Sequence, residues 1–146
     1  TFDIVSTEKG MAVGMLGGAM LIEKTVREVK EAGIEGYTGI LIVGGGGAPE
    51  YLWNNPDLID LVRSFDTAGR ILGAICLAPV VLAKAGIIRE KKVTVFNDDQ
   101  AIDEIRKGGG IFTSEPNVVD GRLITGNGPQ AAAGFGERFA RMVQGA

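Results

Sequence analysis

Strand-like apolar runs alternate with helical segments along most of this 146-residue sequence. The clearest run, residues 39–43, is uninterrupted and lies between glycines, which predicts a central parallel strand covered on both faces. An amphipathic helix is predicted over residues 56–68, and a second buried strand follows over residues 70–75. Alternation of this kind predicts an α/β fold of the doubly wound class, with a mostly parallel sheet between two layers of helices.

The other predicted elements are shorter, and they complete one domain. Asn55 and Pro56 suit the cap and first position of the helix over residues 56–68. The remaining predictions are a strand at residues 2–5, a β-excursion at 11–16 and 19–22, a short helix within 24–32, a helix at 77–85, strands at 93–96 and 111–113, a helix from 98 to 107, a hairpin at 118–125 that turns at Asp120 and Gly121, and a helix at about 130–144.

Composition excludes several classes of function. Fifteen basic and eighteen acidic residues give a net charge of -3, so we expect neither a nucleic-acid partner nor a polybasic membrane anchor. No apolar run approaches the roughly 18 residues that a membrane-spanning helix needs. Hydrophobic residues make up 45% of the chain, which is enough for a packed core.

The sequence contains one cysteine, Cys76, and no histidine. A single cysteine forms no internal disulfide, so we expect a reducing, cytoplasmic location. The usual structural zinc sites and the Cys-His and Ser-His-Asp triads are excluded, and we expect no metal and no cofactor. The acids Asp98, Asp99, Asp103 and Glu104 are interpreted as helix-terminus charges and not as metal ligands.

Cys76 lies where a predicted strand passes directly into a helix. Ala74 and Ala78 flank it at two residues on either side, and a sharp strand–nucleophile–helix turn requires small residues at those positions. Such a turn presents the side chain at the carboxyl end of the sheet, and the helix N-terminus favours the thiolate. The alternative is a cysteine that only packs in the core, which is the commoner role for a free cysteine. The junction and its small neighbours favour the nucleophile.

Four segments resemble the PfpI family, the intracellular-peptidase and parkinsonism-associated-deglycase group of the class I glutamine-amidotransferase-like superfamily: residues 6–10, 42–50, 74–79 and 120–129. The resemblance implies a flavodoxin-like domain that forms a homodimer or a higher homo-oligomer. It also implies that Cys76 is the nucleophile and that the amides of Gly45 or Gly46 and of Leu77 form an oxyanion pocket. Glu50 matches a catalytic acid that reaches the neighbouring subunit's site in the peptidase branch.

The sequence also departs from the family pattern. Leu77 stands where the peptidase branch has histidine, and Phe96 stands where the deglycase branch has one. The family's glutamate, which binds the thiol, lies between the first strand and the first helix, whereas this sequence begins at what resembles the second strand. We therefore expect residues 1–146 to be a single PfpI-like domain that is N-terminally incomplete, with about 30 residues, one β-α unit, preceding Thr1 in the native protein.

The leading functional hypothesis is a cysteine-dependent hydrolase or lyase that acts on small carbonyl compounds or glycated adducts. A redox or electrophile stress sensor with little turnover is the first alternative. An intracellular cysteine peptidase is weaker, because no residue of this chain can replace the peptidase histidine. The methionines Met11, Met15 and Met20 are interpreted as apolar packing residues or as part of a subunit interface.

Overall fold

The computed structural model describes residues 1–145. Its strands are β1 (Val5–Ser6), β2 (Gly10–Val13), β3 (Ala19–Ile22), β4 (Lys24–Thr25), β5 (Gly39–Ile42), β6 (Ile71–Ile75), β7 (Lys92–Val93), β8 (Ile111–Phe112), β9 (Asn117–Asp120) and β10 (Leu123–Gly126). Its α-helices are α1 (Val26–Ala32), α2 (Ala48–Tyr51), α3 (Pro56–Thr67), α4 (Pro79–Lys84), α5 (Asp99–Lys107) and α6 (Ala132–Val143), and a 3-10 turn, Pro129–Ala131, precedes α6.

The main sheet has four strands in the order β5-β6-β10-β9. β6 pairs in parallel with both β5 and β10, and β9 closes the far edge as the antiparallel half of the predicted hairpin. Three further pairs lie outside this sheet: β1 with β4 and β7 with β8, both parallel, and the antiparallel hairpin of β2 and β3. The doubly wound connection brings the carboxyl ends of β5, β6 and β10 to one edge.

Helices cover both faces of the sheet, as predicted. Leu72 and Ala74 of β6 point into the larger core, which also holds the buried faces of α3 and α4. The alternate residue Ile75 points to the other face, where it packs with Phe135 of α6. Side chains alternate along a strand, so β6 supplies both cores. The α/β fold, flavodoxin-like and mostly parallel, is confirmed.

Residues 39–43 were predicted to form a central strand covered on both faces. This prediction is wrong, because the side chains of Leu41 and Val43 are exposed. Among the described residues β5 pairs on one side only, with β6, so it is an edge strand of the main sheet. β6 and β10 are the central strands, and their residues are almost all buried. An apolar run therefore indicated a strand here without indicating how many neighbours the strand has.

Two other predicted strands are shorter than expected. Residues 2–5 were expected to be a buried strand, but only Val5–Ser6 pairs and Phe2 is exposed. The strand expected over residues 93–96 ends at Val93, because the next amides bind elsewhere: Thr94 donates to the Thr125 hydroxyl and Phe96 donates to the Cys76 carbonyl.

The Asn55 cap is confirmed, since its side chain accepts a hydrogen bond from the amide of Leu58. In the described part of the chain, no helix has the length and apolar character needed to cross a bilayer.

Candidate functional site

The site is built on the corner where β6 passes into α4. Cys76 has a φ of 64°, in the left-handed region. This conformation costs a residue with a Cβ about 1–2 kcal/mol. Ala74 and Ala78 are fully buried on either side, and the Ala78 amide donates to the Ile75 carbonyl across the turn at 3.1 Å. The predicted sharp turn with small neighbours is present, and it leaves the Cys76 side chain half-buried at the carboxyl edge of the sheet.

Three segments of the chain hold this strained corner in place by hydrogen bonds to its backbone. The Cys76 amide donates to the Gly126 carbonyl at 2.9 Å, at the end of β10. The Phe96 amide donates to the Cys76 carbonyl at 2.8 Å. The buried indole Nε1 of Trp53 donates to the Leu77 carbonyl at 2.8 Å. A strained backbone persists where its surroundings over-determine it, and these bonds from three directions do so.

The glycine loop after β5 lies against the same corner. An ideal Cβ placed on Gly44 would lie 2.8 Å from both the Ile75 carbonyl oxygen and the Leu77 amide nitrogen, so only glycine allows this approach. Within residues 1–145, the amides of Gly45, Gly46 and Leu77 donate no hydrogen bond to the chain. Unpaired donors beside a nucleophile are the chemical requirement for an oxyanion pocket.

Glu50 lies on α2, and its side chain is exposed. Among the described residues its carboxylate makes no ion pair and no hydrogen bond, so nothing within this chain joins it to Cys76. Phe96, which the family resemblance aligned with a histidine, does lie at the site through its amide bond to Cys76. Its side chain is partly exposed and lies close to Gly128, so an apolar residue occupies the position that the resemblance aligns with a base.

Sequence reasoning missed Trp53 and Gly126. Trp53 is the chain's one tryptophan. A buried indole usually has an acceptor for its N–H, so the sequence could have indicated that Trp53 binds a buried acceptor. Gly126 closely approaches the side chains of Asn117 and Ile75, where a Cβ would lie 2.9 Å from the Asn117 amide oxygen. Such packing depends on the fold and leaves no pattern in the sequence.

Three of the four acidic residues of α5 and its N-cap have structural partners. Asp98 caps the helix by accepting from the Ala101 amide, Asp103 pairs with Lys107, and Glu104 pairs with Lys84. In the part of the chain that the structure describes, no group of three or more histidine, cysteine or acidic side chains gathers to hold a metal ion.

Comparison with known proteins agrees with this geometry. The DJ-1/PfpI family matches the chain over residues 1–142. An uncharacterized protein of Methanocaldococcus jannaschii is 46% identical over 97% of this chain and 68% of its own length. The deglycase PfpI of Pyrococcus furiosus is 26% identical over 97% of this chain and 81% of its own length. A glutathione-independent glyoxalase of Caenorhabditis elegans is 26% identical over 88% of this chain and 66% of its own length.

Comparison of the fold with solved structures indicates the same family. The crystal structure of a ThiJ/PfpI domain protein from Brachyspira murdochii superimposes with a TM-score of 0.90 and 28% identity, covering 99% of this chain and 80% of that one. The match in sequence spans almost the whole chain, and the strand–cysteine–helix corner lies within it. This chain belongs to the DJ-1/PfpI family.

Proposed function

We propose that this protein is a cysteine-dependent enzyme of the glyoxalase or deglycase type, which acts on small carbonyl compounds or their glycated adducts. One observation carries the proposal: Cys76 is held in a left-handed conformation at the β6–α4 corner, with the unpaired amides of the glycine loop and Leu77 close by. Relatives named as deglycases and as a glyoxalase support the same class of substrate.

The proposed first step is attack by the Cys76 thiolate on an aldehyde carbon. A C–S bond forms, the carbonyl π electrons move to oxygen, and the resulting alkoxide takes a proton from water to give a hemithioacetal. The amides of Leu77 and of Gly45 or Gly46 would stabilise the negative oxygen before it is protonated. For methylglyoxal, a proton then moves from the former aldehyde carbon to the neighbouring carbon, which converts the hemithioacetal to a thioester. Hydrolysis of the thioester by one water breaks the C–S bond, frees Cys76 and gives lactate.

Glu50 is the second catalytic residue in the proposal. Because its carboxylate is exposed and has no partner within the described chain, it is free to act on a site across a subunit boundary. We propose that the protein works as a homo-oligomer for this reason.

The first prediction is that replacing Cys76 abolishes turnover of methylglyoxal. Cys76→Ala removes the nucleophile, so the rate of methylglyoxal loss should fall by at least roughly 100-fold, about 3 kcal/mol of transition-state stabilisation. Glu50→Gln tests the second residue. Its matched control is Glu137→Gln, which changes an exposed acid on a different helix, α6. Equal rates for the wild type and Cys76→Ala would contradict the proposal that the protein is a cysteine-dependent enzyme.

A redox or electrophile sensor is the alternative. It is favoured by the absence of histidine from the sequence and by the apolar Phe96, whose amide binds the Cys76 carbonyl, at a position where the resemblance aligns a histidine. Two equivalents of peroxide would each deliver one oxygen to Cys76 and leave as water, giving the sulfinate. Intact mass after mild peroxide treatment separates the two functions. A gain of two oxygens at Cys76 without turnover of methylglyoxal indicates the sensor, whereas turnover by an unoxidised thiol indicates the enzyme.

A further inference from the structure

An open cavity of about 350 Å³ lies where the segment after β1 meets the first turns of α1 and α3. The residues that line it are Thr7, Thr25, Val26, Arg27, Asn55 and Asp57, and all of them except the valine are polar. The volume falls in the range of small-molecule sites, roughly 300–1,000 Å³. None of these residues has a part in the chemistry proposed for Cys76, so the cavity is a separate feature of the molecule.

The cavity lies on the edge of the sheet that also carries Cys76. α3 begins at this edge, because the chain leaves β5 at its carboxyl end and returns through α3 to the start of the parallel strand β6. Trp53, which precedes Asn55 by two residues, donates its indole hydrogen bond to the Leu77 carbonyl and so joins the two regions. Open α/β sheets bind their ligands at the carboxyl ends of their strands, so the position of the cavity suits a binding site.

Arg27 brings a pair of unused donors to the cavity. Its Nε donates to Oδ2 of Asp57 at 3.0 Å, which restrains the guanidinium group. Its two terminal nitrogens donate no hydrogen bond to any described residue, and 71% of the side chain is exposed. A guanidinium presents its N–H groups as a rigid fork that matches the two oxygens of a carboxylate.

Two threonine hydroxyls add further donors. Thr25 Oγ1 accepts from the Glu28 amide at 3.2 Å, which leaves the hydroxyl proton available to a ligand. The hydroxyl of Thr7, a half-buried residue of the cavity wall, makes no hydrogen bond within residues 1–145. Thr7 belongs to the segment 6–10, which resembles the family pattern and has no role in the chemistry proposed above.

The acceptors of the cavity, in contrast, already have partners. The Asp57 carboxylate accepts from Arg27 at one oxygen and from Lys30 at the other, both at 3.0 Å. Lys30 and then Arg27 lower the pKa of Asp57 below its ordinary 3.8, so this carboxylate is ionised and paired at neutral pH. The side-chain oxygen of Asn55 accepts from the Leu58 amide. Unused donors together with satisfied acceptors suit a ligand that is rich in acceptors.

We propose that this cavity binds a small carboxylate, whose oxygens accept from the terminal nitrogens of Arg27 and from the hydroxyls of Thr7 and Thr25. The binding is reversible and forms no covalent bond. An ion pair that only tied α1 to α3 would account for the bond between Arg27 and Asp57, but not for the cavity or for the unused hydroxyls. The inference does not depend on the chemistry of Cys76.

The test is isothermal titration calorimetry with succinate at neutral pH and low salt. Succinamide, which has nearly the same shape and no charge, should bind at least about 10-fold more weakly, because bonds from a charged donor are strongest to an ionised acceptor. Arg27→Gln should also weaken the binding of succinate by about 10-fold or more. The matched control is Arg138→Gln, which removes the same charge from an exposed position on α6 and should bind succinate as the wild type does.

Thr7→Val guards against an indirect effect of the lost ion pair. This variant removes one hydroxyl of the cavity and leaves the pair of Arg27 with Asp57 in place, so weaker binding of succinate would arise in the cavity itself. We expect a loss of about 3- to 10-fold, in keeping with one hydrogen bond. A wild type that does not bind succinate, or that binds succinamide equally well, would overturn the proposal. Binding that is insensitive to both Arg27→Gln and Thr7→Val would place the succinate elsewhere and would also overturn it.

Discussion

The Cys76 corner and the hairpin of β2 and β3 have similar compositions and opposite surroundings. Both are apolar and rich in small residues. At the corner, Ala74 and Ala78 are fully buried, and hydrogen bonds join the backbone to Trp53, Phe96 and Gly126 in three other segments of the chain. The hairpin is bonded across its own two strands and at its turn, while nearly all of its side chains face solvent.

The difference shows what each segment needs in order to be stable. The corner holds a cysteine in a conformation that is unfavourable by itself, so it depends on contacts made by distant parts of the same chain. The hairpin has favourable local geometry, but the described residues of this chain leave nearly all of its side chains uncovered. Local apolar composition is compatible with both situations, and the tertiary contacts distinguish them.

The largest expected difference between the two regions comes from adding one methyl group to a glycine in each. Gly44→Ala forces a Cβ to within 2.8 Å of the backbone at Ile75 and Leu77, so the corner must shift. We expect the free energy of unfolding to fall by about 1–3 kcal/mol, as for other overpacked sites. Urea denaturation followed by circular dichroism measures the change.

The matched control lies in the hairpin. A Cβ on Gly18 meets no atom within 4 Å, and its φ is not in the left-handed region. Gly18→Ala should therefore be neutral or stabilising by up to about 1 kcal/mol, because alanine restricts the unfolded chain. Similar losses for both variants would mean that the close approach of Gly44 does not contribute to the stability of the corner.

A smaller effect is expected from removing the indole hydrogen bond. Trp53→Phe deletes the donor to the Leu77 carbonyl and some buried volume, and it leaves that carbonyl without the partner it now has. A loss of about 1–2 kcal/mol is expected. Tyr51→Phe, which removes an exposed polar group two residues away, is the control and should change stability by less than about 0.5 kcal/mol. Equal stabilities of the two variants would show that the corner does not rely on Trp53.

Much of this contrast lies beyond sequence reasoning. The turn at Cys76 was predictable, because Ala74 and Ala78 flank the cysteine at the spacing that a sharp turn requires. The Trp53 and Gly126 contacts were not, since they join segments far apart in the chain and follow no periodic pattern. The exposure of Phe2 and Leu41 was not predictable either, because an apolar run predicts a strand and not the number of its neighbours.

The smallest expected effect concerns the base of the hairpin, where ion pairs join the flanking segments to the rest of the chain. Lys24 and then the Tyr37 hydroxyl hydrogen-bond the Asp3 carboxylate and lower the pKa of Asp3 below its ordinary 3.8. Lys9 and then the Thr25 amide do the same for Glu28, whose pKa falls below its ordinary 4.5. A carboxyl with a lowered folded-state pKa stabilises the fold above its unfolded value, and that contribution disappears as the pH falls through the folded value.

The hairpin should therefore loosen below about pH 4 while the Cys76 corner stays ordered, and the effect should be small because these pairs are exposed and screened by salt. Methyl-labelled methionine makes both regions visible in one NMR spectrum, since Met20 reports on the hairpin and Met142 of α6 packs against the Ile75–Phe135 cluster. On acidification the Met20 signal should shift or broaden first, and Asp3→Asn/Glu28→Gln should produce that change already at neutral pH. If Met20 and Met142 instead change together at one pH, the hairpin base and the core respond as one unit, and the contrast between the two regions does not extend to their electrostatics.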